Sequence, residues 1–367
     1  MKRNYSASAL GLVATLFLAM ATQALGQQPT QLYAFECSPS GCPDGQNPGT
    51  LLQASDGNFY GIAQGDGGPS GEGTIFRLTS KGHFKLLYTF LGEEGPGPAL
   101  VEARDGNLWG VNAAYMGSVY KVSKNGSGFK TVYTFPEIEL SATLTVGKDG
   151  NLYGSTALGG TGTACGSLGC GTIFTIDVAT GVLTTLYSLN GTSDGSNPSG
   201  LIQASDGNFY GTTRNNVFRV TPTGTFTVVS YLPAGDNAFG GVIQASNGSL
   251  YGMLNDASAL PQLFQVALDG SDFVAFPALS SLPHIELLST LLQASDGNLR
   301  LTTFPTAGSG AIVSLSPSTG SIVQNIAFAT YATPLIQAKN GNLYGTASGG
   351  KVREGTAGGQ VFSLKTQ

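Results

Sequence analysis

Charge and histidine are what this sequence has least of. Only 11% of the 367 residues are charged, and the chain holds two histidines, four cysteines and one tryptophan. Seventeen basic residues against twenty-two acidic ones give no electropositive surface, which excludes nucleic acid as a partner. His83 and His284 are the whole supply of imidazole. With no histidine cluster, no Ser-His-Asp arrangement and no reactive free thiol in view, nucleophilic catalysis has no obvious constellation. Beyond residue 26 no apolar run is long enough to span a membrane.

Residues 1–26 read as a secretory signal. Lys2 and Arg3 form its basic start, Ala9 to Met20 its apolar stretch, and Ala24 to Gly26 a small-x-small cleavage site. The expected mature chain is a single domain over residues 27–367, secreted or periplasmic. It keeps 15 basic and 22 acidic residues, a net charge of −7. The cysteines fall as two identical spacings, Cys37 with Cys42 and Cys165 with Cys170. In an exported chain these predict two local disulfides; a four-cysteine metal site is the alternative, and it requires two distant loops to meet.

What is plentiful is glycine, 54 residues, and repetition. The phrase "LLQASDGNFYG" at Leu51 to Gly61 returns as "LIQASDGNFYG" at Leu201 to Gly211 and as "LIQAKNGNLYG" at Leu335 to Gly345. Aligning on the DGN turn gives seven copies, starting at Asp56, Asp105, Asp149, Asp206, Asn247, Asp296 and Asn340. A period of ~40–50 residues belongs to blade-sized all-β units. In each copy two short strands, a and b, flank the turn, where Asp-Gly suits a type I′ hairpin. A glycine-rich loop leads to a second hairpin, strands c and d, as in "GTIFRLT" and "FKLLYTF". The strands are apolar on both faces, so each sheet must be covered on both sides. The seventh copy stops after its strand c, while "QLYAF" at Gln31 to Phe35 has the wording of a strand d. Complementary ends close a ring, and the predicted fold is an all-β, seven-bladed β-propeller whose last blade is completed by the N-terminal strand.

The phrases L-I-Q-x-S-D-G-N-x-Y-G-T, G-T-x-F and L-Y-x-F resemble the tandem repeat of the choice-of-anchor GloVer-containing proteins. The likeness is strongest where Ser55 to Gly61 leads to Gly73 to Phe76, and where Asp149 to Thr156 leads to Gly171 to Phe174. Copy six departs from it, with Arg300 and Leu301 in place of Tyr-Gly and "GAIVSL" in place of G-T-x-F. The family's C-terminal sorting signal is absent, so this member is expected to be released. The resemblance implies location and fold; the family has no established reaction. The repeat is also loosely similar to that of streptogramin lyase propellers, without a counterpart of their catalytic histidine.

Two candidate sites follow from this topology. The variable b–c and d–a loops share one face of the ring, which is strongly acidic. Asp66, Glu72, Glu93 and Glu94 are its candidate oxygen ligands for a divalent cation, Ca2+ first, no other cofactor being expected; the alternative is that the carboxylates only keep the loops soluble. Near the end of strand a recurs a polar position: Gln53, Glu102, Gln203, Gln244, Gln293 and Gln337, with Val146 in the third copy. These side chains either line a central channel and meet sugar hydroxyls or water, or satisfy backbone groups along the inner edge. The function expected is a binding or interaction scaffold for a glycan, peptide or cell-surface ligand. A metal-assisted lactonase or lyase at the channel mouth is the alternative.

Overall fold

The computed structural model describes residues 28–38, 41–65, 72–91, 95–112, 117–135, 144–255, 260–277, 279, 285–286, 290–305, 310–328, 332–348 and 356–366. The expected signal segment lies outside them. The described residues form seven antiparallel sheets and no helix, a seven-bladed β-propeller. In blade 1 strands a to d are Leu52–Gln53, Phe59–Gln64, Gly73–Leu78 and Phe84–Thr89, hydrogen-bonded in that order. Blades 2 to 5 repeat this order. In blade 6 two short segments, Ile285–Glu286 and Leu292–Gln293, both pair with strand b, Leu299–Pro305.

Blade 7 joins both ends of the chain. Its strands a to c are Ile336–Gln337, Leu343–Ala347 and Thr356–Leu364, and its strand d is the N-terminal Thr30–Cys37. Gln31 pairs with Phe362 and Phe35 with Gly359. Phe35 is fully buried against Phe76 of blade 1, their rings 5.2 Å apart, and Tyr33 stacks on Phe84 at 4.2 Å. Closure is therefore both a ladder within blade 7 and an aromatic contact to blade 1.

The core is divided rather than central. Seven apolar clusters occupy the seven seams between adjacent blades, such as Phe35, Phe59, Phe76, Tyr344 and Val361 between blades 7 and 1. This is why strands b and c are apolar on both faces: each sheet has a neighbour on either side. Within a sheet, the glycine of the Tyr-Gly pair faces the aromatic ring of strand c. Gly61 is paired with Phe76, and a Cβ on Gly61 would lie 2.4 Å from Phe76 Cζ.

The DGN turns differ from the expected type I′ geometry. In the first, Gly57 N–H donates to Ala54 O and Ala54 N–H to Asn58 O, each at 3.0 Å, with only Gly57 at positive φ, 82°. None of the seven Asp or Asn residues opening the turns has positive φ. This is a three-residue loop, a type I turn followed by a left-handed glycine. The reason is chemical: with Asp56 kept at negative φ, its carboxylate accepts the Asn58 N–H at 3.1 Å and the Asn58 amide at 3.0 Å. Both cysteine pairs are disulfides, Cys37–Cys42 and Cys165–Cys170, and no free cysteine remains.

Candidate functional site

Each turn carries a second layer of contacts that fixes the turn face of the ring. The aromatic four residues after the turn-opening Asp donates to its carboxylate: Tyr60 to Asp56 at 2.8 Å, Trp109 to Asp105 at 3.1 Å, Tyr153 to Asp149 and Tyr210 to Asp206 at 2.9 Å. Burial alone would raise Asp56, Asp105 and Asp206, yet donors from Asn58 and Tyr60 hold Asp56 below its ordinary value, as their counterparts hold Asp105 and Asp206. Burial, then the carboxylate partner, pushes Tyr153 and Tyr210 up to about 12. In blade 6 Arg300 takes the aromatic's place and pairs with Asp296.

The recurring polar residue of strand a ties blade to blade. Gln53, Gln203, Gln244, Gln293 and Gln337 each donate through Nε2 to the glycine carbonyl of their own turn, at 2.7–3.2 Å. Each Oε1 accepts a backbone N–H from the preceding blade at 2.6–2.9 Å: Lys339 to Gln53, Lys148 to Gln203, Ser205 to Gln244, Ser246 to Gln293 and Ser295 to Gln337. Glu102 accepts Ser55 N–H at 2.6 Å and Lys124 Nζ at 2.5 Å. The series is interrupted once, at Val146, which is 37% exposed. There Arg104 crosses instead from blade 2 to blade 3, donating to Asp149 O at 3.1 Å and reaching Asp177 at 3.9 Å.

Gln53, Gln337, Ser295 and Lys339 also line an opening of about 530 Å³ at the turn-face mouth between blades 6, 7 and 1. Both Nε2 donors of Gln337 are taken, by Ser295 Oγ at 2.8 Å and Gly341 O at 2.7 Å.

On the loop face, Asp66, Glu93 and Glu94 lie outside the described residues. Glu72 is half-buried just before strand c of blade 1. Among the described residues no three His, Cys, Asp or Glu side chains come together as a metal-sized group. His83 is exposed in a c–d turn, and His284 lies outside the described residues. Two acidic loop residues are committed to structure. Asp194 is buried and accepts Tyr187 Oη at 2.9 Å and the N–H groups of Asn190 and Gly191; Asp44 accepts Tyr33 Oη. Both pairs join the tyrosine of strand d to an Asp-Gly in the following loop.

Sequence reasoning missed a cavity of about 470 Å³ at the loop-face mouth between blades 4 and 5. Its walls are Asn197, Ser199, Thr212, Thr213, Arg214 and Asn237. The loop backbone positions them: Arg214 N–H donates to Ser196 O and Ala238 N–H to Arg214 O, each at 3.1 Å, and Asn197 takes a positive φ of 53°. Gly200 and Gly241 let the two inner strands approach, a Cβ on Gly200 falling 2.7 Å from Gly241 Cα. Arg214 is exposed and forms no ion pair among the described residues. A lone cation among hydroxyls and amides suits a polyhydroxylated ligand bearing a carboxylate. The only sequence signal was Arg214 as a rare positive charge on an acidic face.

A closed seven-bladed ring, with its blades latched by side-chain amides and its loops stapled by disulfides, defines this as a propeller of tandem repeats. The chain belongs to the Gloeobacter/Verrucomicrobia repeat family, which matches residues 22–216, over half of the chain. No curated protein matches it. Among solved structures it is similar to an oligogalacturonate lyase from Vibrio parahaemolyticus, at 12% identity and TM-score 0.60, covering 94% of each chain. An oligogalacturonate lyase in complex with manganese is 10% identical, TM-score 0.57, covering 90% of this chain and 99% of that one. The extracellular domain of a putative one-component system from B. thetaiotaomicron is 13% identical, TM-score 0.58, covering 93% of this chain. The chain spans only 40% of that domain's length. At these identities the likeness is of fold alone.

Proposed function

We propose that the protein is an exported binding propeller that takes a polar, carboxylate-bearing ligand, a glycan or a peptide terminus, at the loop-face mouth between blades 4 and 5. The carrying observation is the cavity walled by Asn197, Ser199, Thr212, Thr213 and Asn237 with the exposed guanidinium of Arg214, which forms no ion pair among the described residues. Export is supported by the two disulfides, which persist in oxidising compartments, and by the signal-like residues 1–26. No described helix is long and apolar enough to cross a membrane.

Glycan and peptide arrays probed with the purified chain and with Arg214→Gln test this reading. Acidic saccharides or C-terminal carboxylates retained by the wild type and released by Arg214→Gln are the expected result. An empty array, or binding indifferent to Arg214, defeats it. The competing reading is a metal-assisted lactonase or lyase. None of the residues lining this mouth is His, Cys, Asp or Glu, so such chemistry would need groups from elsewhere on the face. Turnover of lactones and uronate oligosaccharides with and without chelator separates the two.

A further inference from the structure

The turn-face mouth of the channel is built in two tiers of different chemistry. The outer tier is the residue before each turn-opening Asp or Asn. It is serine in blades 1, 4, 5 and 6 and a cation in the other three, Arg104, Lys148 and Lys339, and every one of these residues is exposed. The amide latch of the next blade pins its backbone, as Gln53 Oε1 holds Lys339 N–H at 2.8 Å. The inner tier is the residue before each latch: Leu52, Val101, Ile202, Ile243, Leu292 and Ile336, with Thr145 in blade 3, all half-buried. The aliphatic members pack partly against the seam clusters. Strand a is the innermost of its blade, and Leu52 and Ile336 also line the opening of about 530 Å³.

The three cations are not equivalent. Arg104 is spent on Asp149 O and Asp177, and Lys148 Nζ donates to Ala204 O at 3.0 Å. Lys339 forms no ion pair among the described residues, and its turn is opened by Asn340, where theirs are opened by Asp105 and Asp149. The wall of the opening that Lys339 lines holds no carboxylate. Two neutral donors share that wall. Gln53 Nε2 gives one N–H to Gly57 O at 3.2 Å and keeps its second, while Ser295 Oγ accepts from Gln337 at 2.8 Å and keeps its own hydrogen to donate.

We propose that this mouth binds a single-chain carboxylate, its head on Lys339, Ser295 and Gln53 and its alkyl chain running inward over Leu52 and Ile336. A monoanionic head matches one cation flanked by two neutral donors. An aliphatic wall behind a polar rim takes the chain out of water. A wholly polar anion would leave the inner tier unused, and a neutral alkane would leave the lysine unused. The site is independent of the loop-face mouth, which lies at the other side of the ring.

The test is isothermal titration of the purified protein with acetate, hexanoate, octanoate and octylammonium, below micellar concentrations and at constant ionic strength. Lys339→Ser gives blade 7 the residue that blades 1, 4, 5 and 6 hold, and Ile336→Thr the one that blade 3 holds at the same register. The fold already accepts both elsewhere, and melting temperatures check that the variants are folded. The wild type is expected to bind octanoate saturably and one-to-one, tighter than hexanoate by about threefold per methylene, with acetate and octylammonium silent. Lys339→Ser and Ile336→Thr should each weaken octanoate binding at least fivefold, and Arg214→Gln should leave it unchanged. A flat octanoate titration, an affinity indifferent to chain length, equal binding of octylammonium, or a folded Lys339→Ser protein that binds as the wild type does overturns the proposal. Octanoate binding lost in Arg214→Gln assigns the carboxylate to the loop-face mouth and overturns it equally.

Discussion

Leu301 of blade 6 is paired with Val313, at the register where Gly61 of blade 1 is paired with Phe76. In the ordinary blade a glycine on strand b makes room for an aromatic ring on strand c; in blade 6 a larger residue on b is matched by a smaller one on c. Both residues are buried, so the two substitutions conserve the filling of one space.

Gly61→Ala is therefore expected to destabilise the fold by ~1–3 kcal/mol, because its Cβ would lie 2.4 Å from Phe76 Cζ. Adding Phe76→Val should return part of that loss. Urea unfolding of the two single variants and the double variant reads the coupling. Additive effects, or an unchanged midpoint for Gly61→Ala, contradict the steric account.

The interrupted series of amide latches predicts a gain. Val146→Gln supplies the missing donor and acceptor between blades 2 and 3, and should raise stability by ~1 kcal/mol, the net worth of a typical hydrogen bond. Gln244→Leu should lower it by a similar amount, since Gln244 bonds Ser205 N–H at 2.8 Å and Gly248 O at 2.9 Å. Thermal melts that fail to move in opposite directions count against the latch.

Removing Gln31 to Phe35 should abolish cooperative unfolding. The deletion bares the edge of Thr356–Leu364 and takes Phe35 from the seam with blade 1. Calorimetry of the truncated chain, with light scattering for aggregation, decides; a melt equal to that of the full chain would show that the ring does not need this strand.

Stability should be bounded by pH on both sides. Asp56, Asp105, Asp206 and Asp296 are depressed from 3.8, so their contribution is complete above that value and is lost as pH falls through the lower folded values. Tyr153 and Tyr210 are raised from 10.0 to about 12, so theirs is complete below 10 and is lost as pH rises toward 12. Tyr210→Phe removes one contribution from each limb. A melting temperature that stays level from pH 5 to 2 speaks against the acid limb.

The propeller, its seven copies, the shared last blade and the two disulfides were all legible in the chain. Those features are local or periodic: "QLYAF" carries strand d wording wherever it sits, and paired Cys37 and Cys42 are five residues apart. The recurring strand a glutamines were visible too, because one side chain repeats wherever one environment repeats. Their partners were not, since Lys339 and Gln53 lie 286 residues apart and meet only when the ring closes. The turn type also escaped, because Asp-Gly fits two geometries and the Asn58 contacts to Asp56 select between them. Arg214 and Arg300 read as scattered charges in the chain. Only the packing of neighbouring blades surrounded the first with hydroxyls and amides and buried the second with one nitrogen unsatisfied. A site at a seam is written half on each of two blades, and no stretch of sequence contains it.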